Sequence, residues 1–291
     1  RLQDSVEHIS ILDLIEEEEQ VITLSVRGYI KRMSDDEFQE QRRGGKGKRG
    51  VKSKKEDAAK DLFIANTRSD LLIFTTSGVM FKLPVYKIPE TSRNAAGTPI
   101  INLIPVDKED GIATVLRVAS FDDESLDLVF CSTNGLVKRT ALTEYKNVRR
   151  NGLRAYSCAD GDQLLNVLLC NESSSILMNT AQGKSIHFKG TDVRRMGRKT
   201  RGVKGIKLLN NDTIASMVEV APEIGDQRLL TITENGYGKR SPLSEYRQQN
   251  RGGSGIIDIR TGERNGAIVG SLIVEDTDKI MLISESGQII K

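Results

Sequence analysis

The sequence predicts an all-β fold in which six similar blades of about four short strands each are arranged around a common axis. A motif that recurs about every fifty residues predicts repeated structural units. Each copy contains several runs of strand length, and no segment has the pattern of a convincing long helix. Because neighbouring blades bury each other's faces in such an array, we expect residues 1–291 to form a single domain.

The first hairpin of each repeat marks the period. An apolar run leads into a short polar turn that ends in glycine, and a second β-like run follows. Asn134-Gly135 and Asn235-Gly236 are strong hairpin signals, because Asn and Gly tolerate the positive φ that such turns need. The turn glycines are Gly28, Gly78, Gly135, Gly183, Gly236 and Gly287, with spacings of 50, 57, 48, 53 and 51 residues. Six turn glycines predict six blades.

Two further strands follow in each repeat. The first comes after a basic loop, and its copies are residues 98–104, 202–209 and 255–259. The second is an apolar run, and its copies are residues 112–118, 164–169, 214–220 and 268–274. The sixth repeat reaches Lys291 before its own loop and last strands. Two explanations remain open: the chain is trimmed, or residues 9–15 supply the closing strands.

Composition and motifs exclude several functions. No apolar run approaches the 18 or so residues of a membrane span, so we expect no membrane partner. The three cysteines form no CxxC pair and indicate free thiols in a reducing compartment, and with only two histidines we expect no metal site. Phosphate-loop, dinucleotide-binding and HExxH motifs are absent. Tyr145 and Tyr246 share a slot with Phe, Ile and Val in other repeats, which indicates packing rather than nucleophilic catalysis. We therefore expect no catalytic residue and no cofactor in these residues.

Charge is segregated along the chain although the net charge is only +3. Acidic residues gather at 16–19, 107–110 and 122–124, and basic residues gather at 42–55, 138–154 and 194–207. Segregation of this kind predicts one electropositive face on an otherwise balanced protein.

A glycine-rich basic loop recurs in register with the turn glycines. Gly44 lies 16 residues after Gly28, and Gly252 lies 16 residues after Gly236. At this offset residues 41–47 align without a gap with residues 91–97, 148–154, 196–202 and 249–255. The third slot of the loop is arginine in all five copies: Arg43, Arg93, Arg150, Arg198 and Arg251. The recurrence predicts an equivalent position on the rim of every blade concerned.

The third-slot arginines have two interpretations. They could be structural braces that pair with an acid in a turn, or they could contact phosphates. We favour phosphate contact, since further basic residues lie nearby and form a discontinuous cationic track. Without a recognition helix or zinc finger, and with aromatics at only 4%, we expect contact with the duplex backbone rather than base reading or stacking. The additional candidates are Lys48, Arg49, Arg149, Arg154, Arg194, Arg195, Lys199, Arg201 and Lys204 around the loops, and Lys138, Arg139, Lys239 and Arg240 at the ends of second strands.

The heptapeptide Gln41-Arg42-Arg43-Gly44-Gly45-Lys46-Gly47 matches the gyrase A box at every position. Over essentially its whole length the sequence resembles the C-terminal domain of DNA gyrase A, part of a type IIA topoisomerase. The resemblance implies a six-bladed β-pinwheel, a propeller-like disc whose blades exchange strands. It also implies that double-stranded DNA wraps around the basic perimeter, that the box is needed for wrapping, and that wrapping enables ATP-dependent negative supercoiling.

The resemblance also implies partners and a location. The isolated domain would be monomeric, and the rest of the gyrase A polypeptide would combine with gyrase B in an A2B2 enzyme in the bacterial cytoplasm, associated with the nucleoid. ATP and Mg would act elsewhere in that enzyme, and this domain would hold neither. The nearest alternative is the related C-terminal domain of topoisomerase IV, in which the box is generally degenerate. A different class is a propeller scaffold that binds protein partners.

Overall fold

The computed structural model describes residues 14–34, 57, 59–92, 95–209, 211–223, 225–280, 282–283 and 289–290, which form β-strands joined by turns and short 3-10 helices. Four sheets have four strands each, one has three, and one has two. Within this described part, no helix is long and apolar enough to cross a membrane.

Five blades follow one another along the chain. Blade one contains β1 (Glu19–Ser25), β2 (Tyr29–Ser34), β3 (Ala59–Asn66) and β6 (Thr98–Pro99). Blade two contains β4 (Asp70–Thr75), β5 (Val79–Pro84), β7 (Ile112–Val118) and β10 (Leu153–Arg154). Blade three contains β8 (Asp127–Ser132), β9 (Leu136–Ala141), β11 (Leu164–Cys170) and β14 (Val203–Lys204).

Blade four contains β12 (Ser175–Thr180), β13 (Lys184–Lys189), β15 (Ile214–Val220) and β18 (Ile256–Ile257). Blade five contains β16 (Arg228–Thr233), β17 (Gly238–Pro242) and β19 (Ile268–Val274). A separate two-stranded sheet joins β20 (Leu282–Ile283) to β21 (Ile289–Ile290). The 3-10 helices are Val85–Lys87, Ile100–Asn102, Leu142–Tyr145, Gly190–Asp192 and Leu243–Glu245.

The prediction of six blades is wrong: the described residues form an all-β propeller of five blades. A full blade here needs two hairpin strands and an inner strand from its own repeat, and a crossing strand from the next one. The sixth repeat contributes only the pair β20 and β21 to the described structure. The number of turn glycines therefore gives the number of hairpins and not the number of complete blades. The sixth of these glycines, Gly287, lies outside the described residues, as do residues 9–13.

Successive blades exchange strands. In the described residues, the two-residue strand that follows the loop of repeats two to five pairs with the second strand of the preceding blade, as β10 does with β5 and β14 with β9. The inner strands β7, β11, β15 and β19 contact one another in sequence. Each crossing strand lies at the opposite edge of its sheet from the inner strand. The crossing strands and their loops therefore lie at the periphery.

The five described turn glycines have φ between 77° and 90°, as the hairpin signals predicted. Glycine also permits the exchange in two blades. A Cβ at Gly78 would lie 2.3 Å from the Tyr156 carbonyl oxygen, and one at Gly183 would lie 2.1 Å from the Ile259 carbonyl oxygen. The chain that follows a crossing strand can pass over the turn only because the side chain is absent.

The hydrophobic core is divided among the seams between blades. In β8, Leu128 and Phe130 pack toward blade two, whereas Val129 and Cys131 pack toward blade four. Side chains alternate between the two faces of a strand, so a strand between two blades is buried on both faces. Tyr145 and Tyr246 also lie in these seams, which confirms them as packing residues. Burial is the main cause that raises the pKa of both hydroxyls, so neither is a ready nucleophile.

A recurring aspartate caps the hairpin turns of the first four blades. Asp57, Asp110, Asp162 and Asp212 each lie two residues before an inner strand. Each accepts a hydrogen bond from the backbone N–H of the residue before the turn glycine, at 2.9–3.0 Å. Blade five has Gly266 at this position. The cap ties the end of each repeat to its beginning, which keeps the hairpins aligned.

Candidate nucleic-acid interface

The box is not part of the described structure. Residues 41–47, Lys48, Arg49 and Arg93 lie outside the described residues, so the predictions for them remain predictions. The loops of repeats three, four and five, at residues 148–154, 196–202 and 249–255, are described in full. Each follows a 3-10 helix and ends at a crossing strand on the periphery.

The loop of repeat three presents three arginines to solvent. Arg149, Arg150 and Arg154 are exposed. Arg154 donates from Nη1 to the Ser77 carbonyl oxygen at 2.7 Å, which fixes its side chain across the seam to blade two. Within the described residues no carboxylate forms an ion pair with any of the three. Their charges are therefore available to an anion.

The loop of repeat four is the most basic of the described copies. Its exposed cations without a carboxylate partner among the described residues are Arg194, Lys199, Arg201 and Lys204. Arg195 differs, because its Nε donates to Asp127 Oδ1 at 2.8 Å, and the Asp127 carboxylate is fully buried. This ion pair anchors the start of the loop to blade three.

Two third-slot arginines are braces. Arg198 donates from Nη1 to the Glu144 carbonyl oxygen at 3.0 Å, and Arg251 donates to the carbonyl oxygens of Asp192 and Lys204 at 2.9 and 3.1 Å. Glu144 and Asp192 each lie nine residues after their turn glycine, so the two contacts are equivalent. Arg150 is exposed and makes no such contact among the described residues. In repeats four and five the third-slot arginine is therefore a structural brace, and its main partners are backbone carbonyls rather than acids.

The basic residues predicted at the ends of second strands lie within β9 and β17 instead, and the two in β9 are buried inside the propeller. Lys138 is fully buried, and Arg139 is 7% exposed with Nη1 3.6 Å from Asp127 Oδ2. The side chain of Lys138 cannot reach a ligand in this conformation, and that of Arg139 has little access. We therefore leave both out of the proposed contact surface.

In blade five the same positions form ion pairs. Lys239 Nζ lies 3.1 Å from the buried Asp258 Oδ1, and Arg240 Nη1 lies 2.8 Å from Asp276 Oδ1. Both side chains are partly exposed, and each lies beside a carboxylate that competes with an external anion. The sequence showed these two positive charges and not their partners, because Asp258 and Asp276 lie 19 and 36 residues away.

Within the described ranges, no group of three or more His, Cys, Asp or Glu residues is placed to hold a metal ion. Burial raises the pKa of the Cys131 and Cys170 thiols, which disfavours the thiolate form. What the loops offer is a set of fixed positive charges on the edges of neighbouring blades.

Fold and site together define a β-propeller module with exposed basic residues on its periphery. The family model described as "DNA gyrase C-terminal domain, beta-propeller" matches residues 19–66, 69–119, 126–171, 174–221 and 227–275, which are five repeats. The DNA gyrase A protein of Escherichia coli K12 is 40% identical over 283 residues, and that of Staphylococcus epidermidis is 39% identical over 279 residues. These matches cover 97% and 96% of this chain, but 32% and 31% of the relatives.

Solved structures agree with the fold. A C-terminal domain of DNA topoisomerase IV superposes with a TM-score of 0.77 at 26% identity, covering 95% of this chain and 84% of that one. A DNA gyrase A C-terminal domain superposes with a TM-score of 0.76 at 23% identity, covering 94% and 88%. The chain belongs to the DNA gyrase C-terminal domain family, which confirms the resemblance. It spans about a third of the length of the curated relatives it matches.

Proposed function

We propose that this chain binds duplex DNA through the exposed cations of its peripheral loops and wraps the duplex around the edge of the propeller. The observation that supports this best is a set of exposed cations on neighbouring blades that have no carboxylate partner among the described residues: Arg149 and Arg150 in one loop, and Arg194, Lys199 and Arg201 in the next. The crossing strands that follow these two loops lie on consecutive seams. A duplex that touches both loops must follow the edge of the disc.

The energetics favour a distributed surface. Bending a short duplex through a large angle costs about 1–6 kcal/mol by smooth elastic estimates and up to about 10 with sequence-dependent stiffness. Each phosphate neutralised by Lys or Arg releases counterions and lowers the free energy of binding at moderate salt. Charges on one blade alone would bind a straight duplex equally well. Charges on successive blades make the bent form the better bound one.

Recognition would depend on the DNA backbone. The helices in the described part are 3-10 turns of three or four residues, too short to enter a major groove as a recognition helix. Arginine and lysine side chains on loops reach phosphates without reading base edges. We therefore expect weak sequence preference and steep salt dependence.

Within a whole DNA gyrase, we propose that residues 1–291 act as one wrapping unit and that Gln41–Gly47 fasten the DNA. The wrap would present a crossing of the duplex to the ATP- and Mg-dependent strand-passage machinery formed by gyrase B with the rest of gyrase A, in an A2B2 assembly at the bacterial nucleoid. Chemistry would lie outside this chain. A topoisomerase IV role is the second candidate, supported by the similar structure at 26% identity. The intact box and the gyrase A relatives at 40% identity favour gyrase.

The test is duplex binding by the chain between 50 and 200 mM salt. Six or more phosphate contacts predict a log–log slope of about −5 or steeper, at about −0.9 per contact. A slope equivalent to one or two charges would contradict wrapping and would favour a protein-binding scaffold. An identical slope on unrelated sequences would support backbone recognition.

A further inference from the structure

The backbone of the repeat-four loop is held from inside at four consecutive carbonyls. Lys138 Nζ donates to the Arg198 carbonyl oxygen at 2.6 Å, and Ser157 Oγ donates to that of Lys199 at 2.9 Å. The Ser157 backbone N–H donates to the Thr200 carbonyl oxygen at 3.4 Å. Tyr156 donates from its hydroxyl to the Arg201 carbonyl oxygen at 2.7 Å. We call Lys138, Tyr156 and Ser157 the carbonyl clamp.

The clamp is built into the core of the seam. Lys138 and Tyr156 are both fully buried. The Lys138 ammonium lies 4.5 Å from the centre of the Phe130 ring and also donates to the Ala155 carbonyl oxygen. The two carbonyl oxygens and the aromatic face take the place of solvent around the Lys138 Nζ group. The donors therefore have a fixed position against which the loop is ordered.

The consequence for the loop is a defined orientation. With the carbonyls of residues 198–201 turned inward, the side chains of Lys199, Thr200 and Arg201 remain exposed. Other connections fix the start of the same loop: Arg195 pairs with Asp127, and the Met196 N–H donates to the Arg139 carbonyl oxygen at 2.7 Å. Cations on an ordered backbone bind an anion without an ordering cost at the time of binding.

The position of Lys138 distinguishes this loop from its neighbours. The residue three after the turn glycine is Phe81 in blade two and Ile186 in blade four, and neither side chain can donate a hydrogen bond. In blade one it is Lys31, whose Nζ donates to the Ala95 carbonyl oxygen at 2.9 Å in the loop of repeat two. A lysine at this position thus donates to a backbone carbonyl of the loop in repeats two and four, while the loops of repeats three and five depend on other contacts.

We propose that the carbonyl clamp positions the repeat-four loop for the DNA backbone, with Lys138 acting as a positioning residue that never touches DNA. This inference rests on the proposed function and deepens it. It makes a distinction that binding measurements can resolve. A residue that contacts phosphate changes the salt slope, whereas a residue that orders the loop changes the affinity and leaves the number of phosphate contacts the same.

The experiment compares three variants of the chain. Tyr156→Phe with Ser157→Ala removes two donors to the loop and keeps the packed ring. Lys138→Met removes the buried ammonium. Lys199→Ala with Arg201→Ala removes the exposed cations themselves. Val220→Ala is the control, since Val220 is buried in a core cluster that contains no residue of the repeat-four loop. Each is titrated with a mixed-sequence linear duplex at 50–200 mM salt, and amide hydrogen exchange of residues 199–204 is followed without DNA.

For the two clamp variants we expect faster exchange in residues 199–204, about five- to tenfold weaker binding and an unchanged salt slope. The Lys199 and Arg201 double variant should lower the slope by about 1.8 and leave exchange unchanged. Val220→Ala should change neither the hydrogen exchange of residues 199–204 nor the affinity for DNA.

Unchanged affinity in the Tyr156 and Ser157 double variant, which keeps the buried lysine and should fold, would overturn the proposal. A slope lowered by about one in Lys138→Met would also overturn it, because Lys138 would then contact phosphate directly. If the wild-type chain bound no duplex, the proposed function would be contradicted, and so would the role of the clamp in DNA binding. The exchange measurement separates that result from a failure of the clamp to order the loop.

Discussion

The exposed arginines of repeat three allow the contact surface to be tested without disturbing the fold. Arg149 and Arg150 are adjacent, exposed and unpaired with any carboxylate among the described residues. Replacing both with alanine removes two positive charges and no buried contact. Substitutions at such surface positions usually change stability by less than about 0.5 kcal/mol. A loss of DNA binding can then be assigned to the interface.

The expected magnitude follows from counterion release. Two lost phosphate contacts lower the log–log salt slope by about 1.8, at about 0.9 per contact. Over the fourfold change from 50 to 200 mM salt, the ratio of wild-type to variant affinity for DNA should fall by about twelvefold. The deficit is thus largest at low salt, where each contact contributes most.

The assay is duplex binding at several salt concentrations, with Arg228→Ala and Arg240→Ala together as the control. Those two arginines carry the same charge, but both lie beside Asp276 Oδ1, at 3.8 and 2.8 Å. We expect the control to keep the wild-type slope. Equal slope losses in the two double variants would refute the reasoning, because net charge rather than the peripheral loops would then govern binding.

Three further outcomes test the supports of the loops. Asp162→Ala should lower the free energy of unfolding in urea by about 2–3 kcal/mol, since Asp162 Oδ1 accepts three hydrogen bonds. The control Asp160→Ala, at an exposed position, should lower it by less than about 0.5 kcal/mol. Burial, together with the Arg198 charge, lowers the pKa of Lys138 from 10.5 to about 7. The unfolded chain therefore binds more protons between these values, so stability should rise with pH from about 7 to 10.5 in wild type more than in Lys138→Met. Arg198→Ala should lower the free energy of unfolding in urea by about 1 kcal/mol, because the hydrogen bond to the Glu144 carbonyl oxygen is lost. It should change the log–log salt slope of DNA binding by less than about 0.9.

The inner strands were predictable because their signal is local. Residues 112–118, 214–220 and 268–274 are predicted from apolar runs between polar turns, and β7, β15 and β19 have the same bounds. Turn glycines were equally clear, since positive φ restricts the choice of residue. Both features depend on neighbours in sequence.

The crossing strands were predicted too long because their length is set by a distant partner. Residues 98–104 were expected to form one strand, but only Thr98–Pro99 pairs with β2, and a 3-10 helix begins at Ile100. Local composition does not show how many residues of a crossing strand can pair with the second strand of the preceding blade. The blade count failed for a related reason, since a repeat can supply a hairpin without the strands that complete a blade.

Part of the candidate site was visible in sequence and part was not. Exposed cations such as Lys199 and Arg201 were identified because charge and register are properties of the sequence. The burial of Lys138 was missed, because its acceptors are the carbonyls of Ala155 and Arg198, 17 and 60 residues away. A lysine in a strand has an identical local pattern whether its side chain points to solvent or donates to buried carbonyl oxygens.

Wrapping by the chain, fastened at residues 41–47, is most directly tested by ligating nicked circular DNA in its presence and measuring the linking number afterward. We expect the wild-type chain to shift the linking number in proportion to the protein bound. Replacing Gln41–Gly47 with alanines should abolish the shift while the circular dichroism spectrum stays that of a β protein. An undiminished shift in that variant, or no shift with wild type at saturation, would contradict the account.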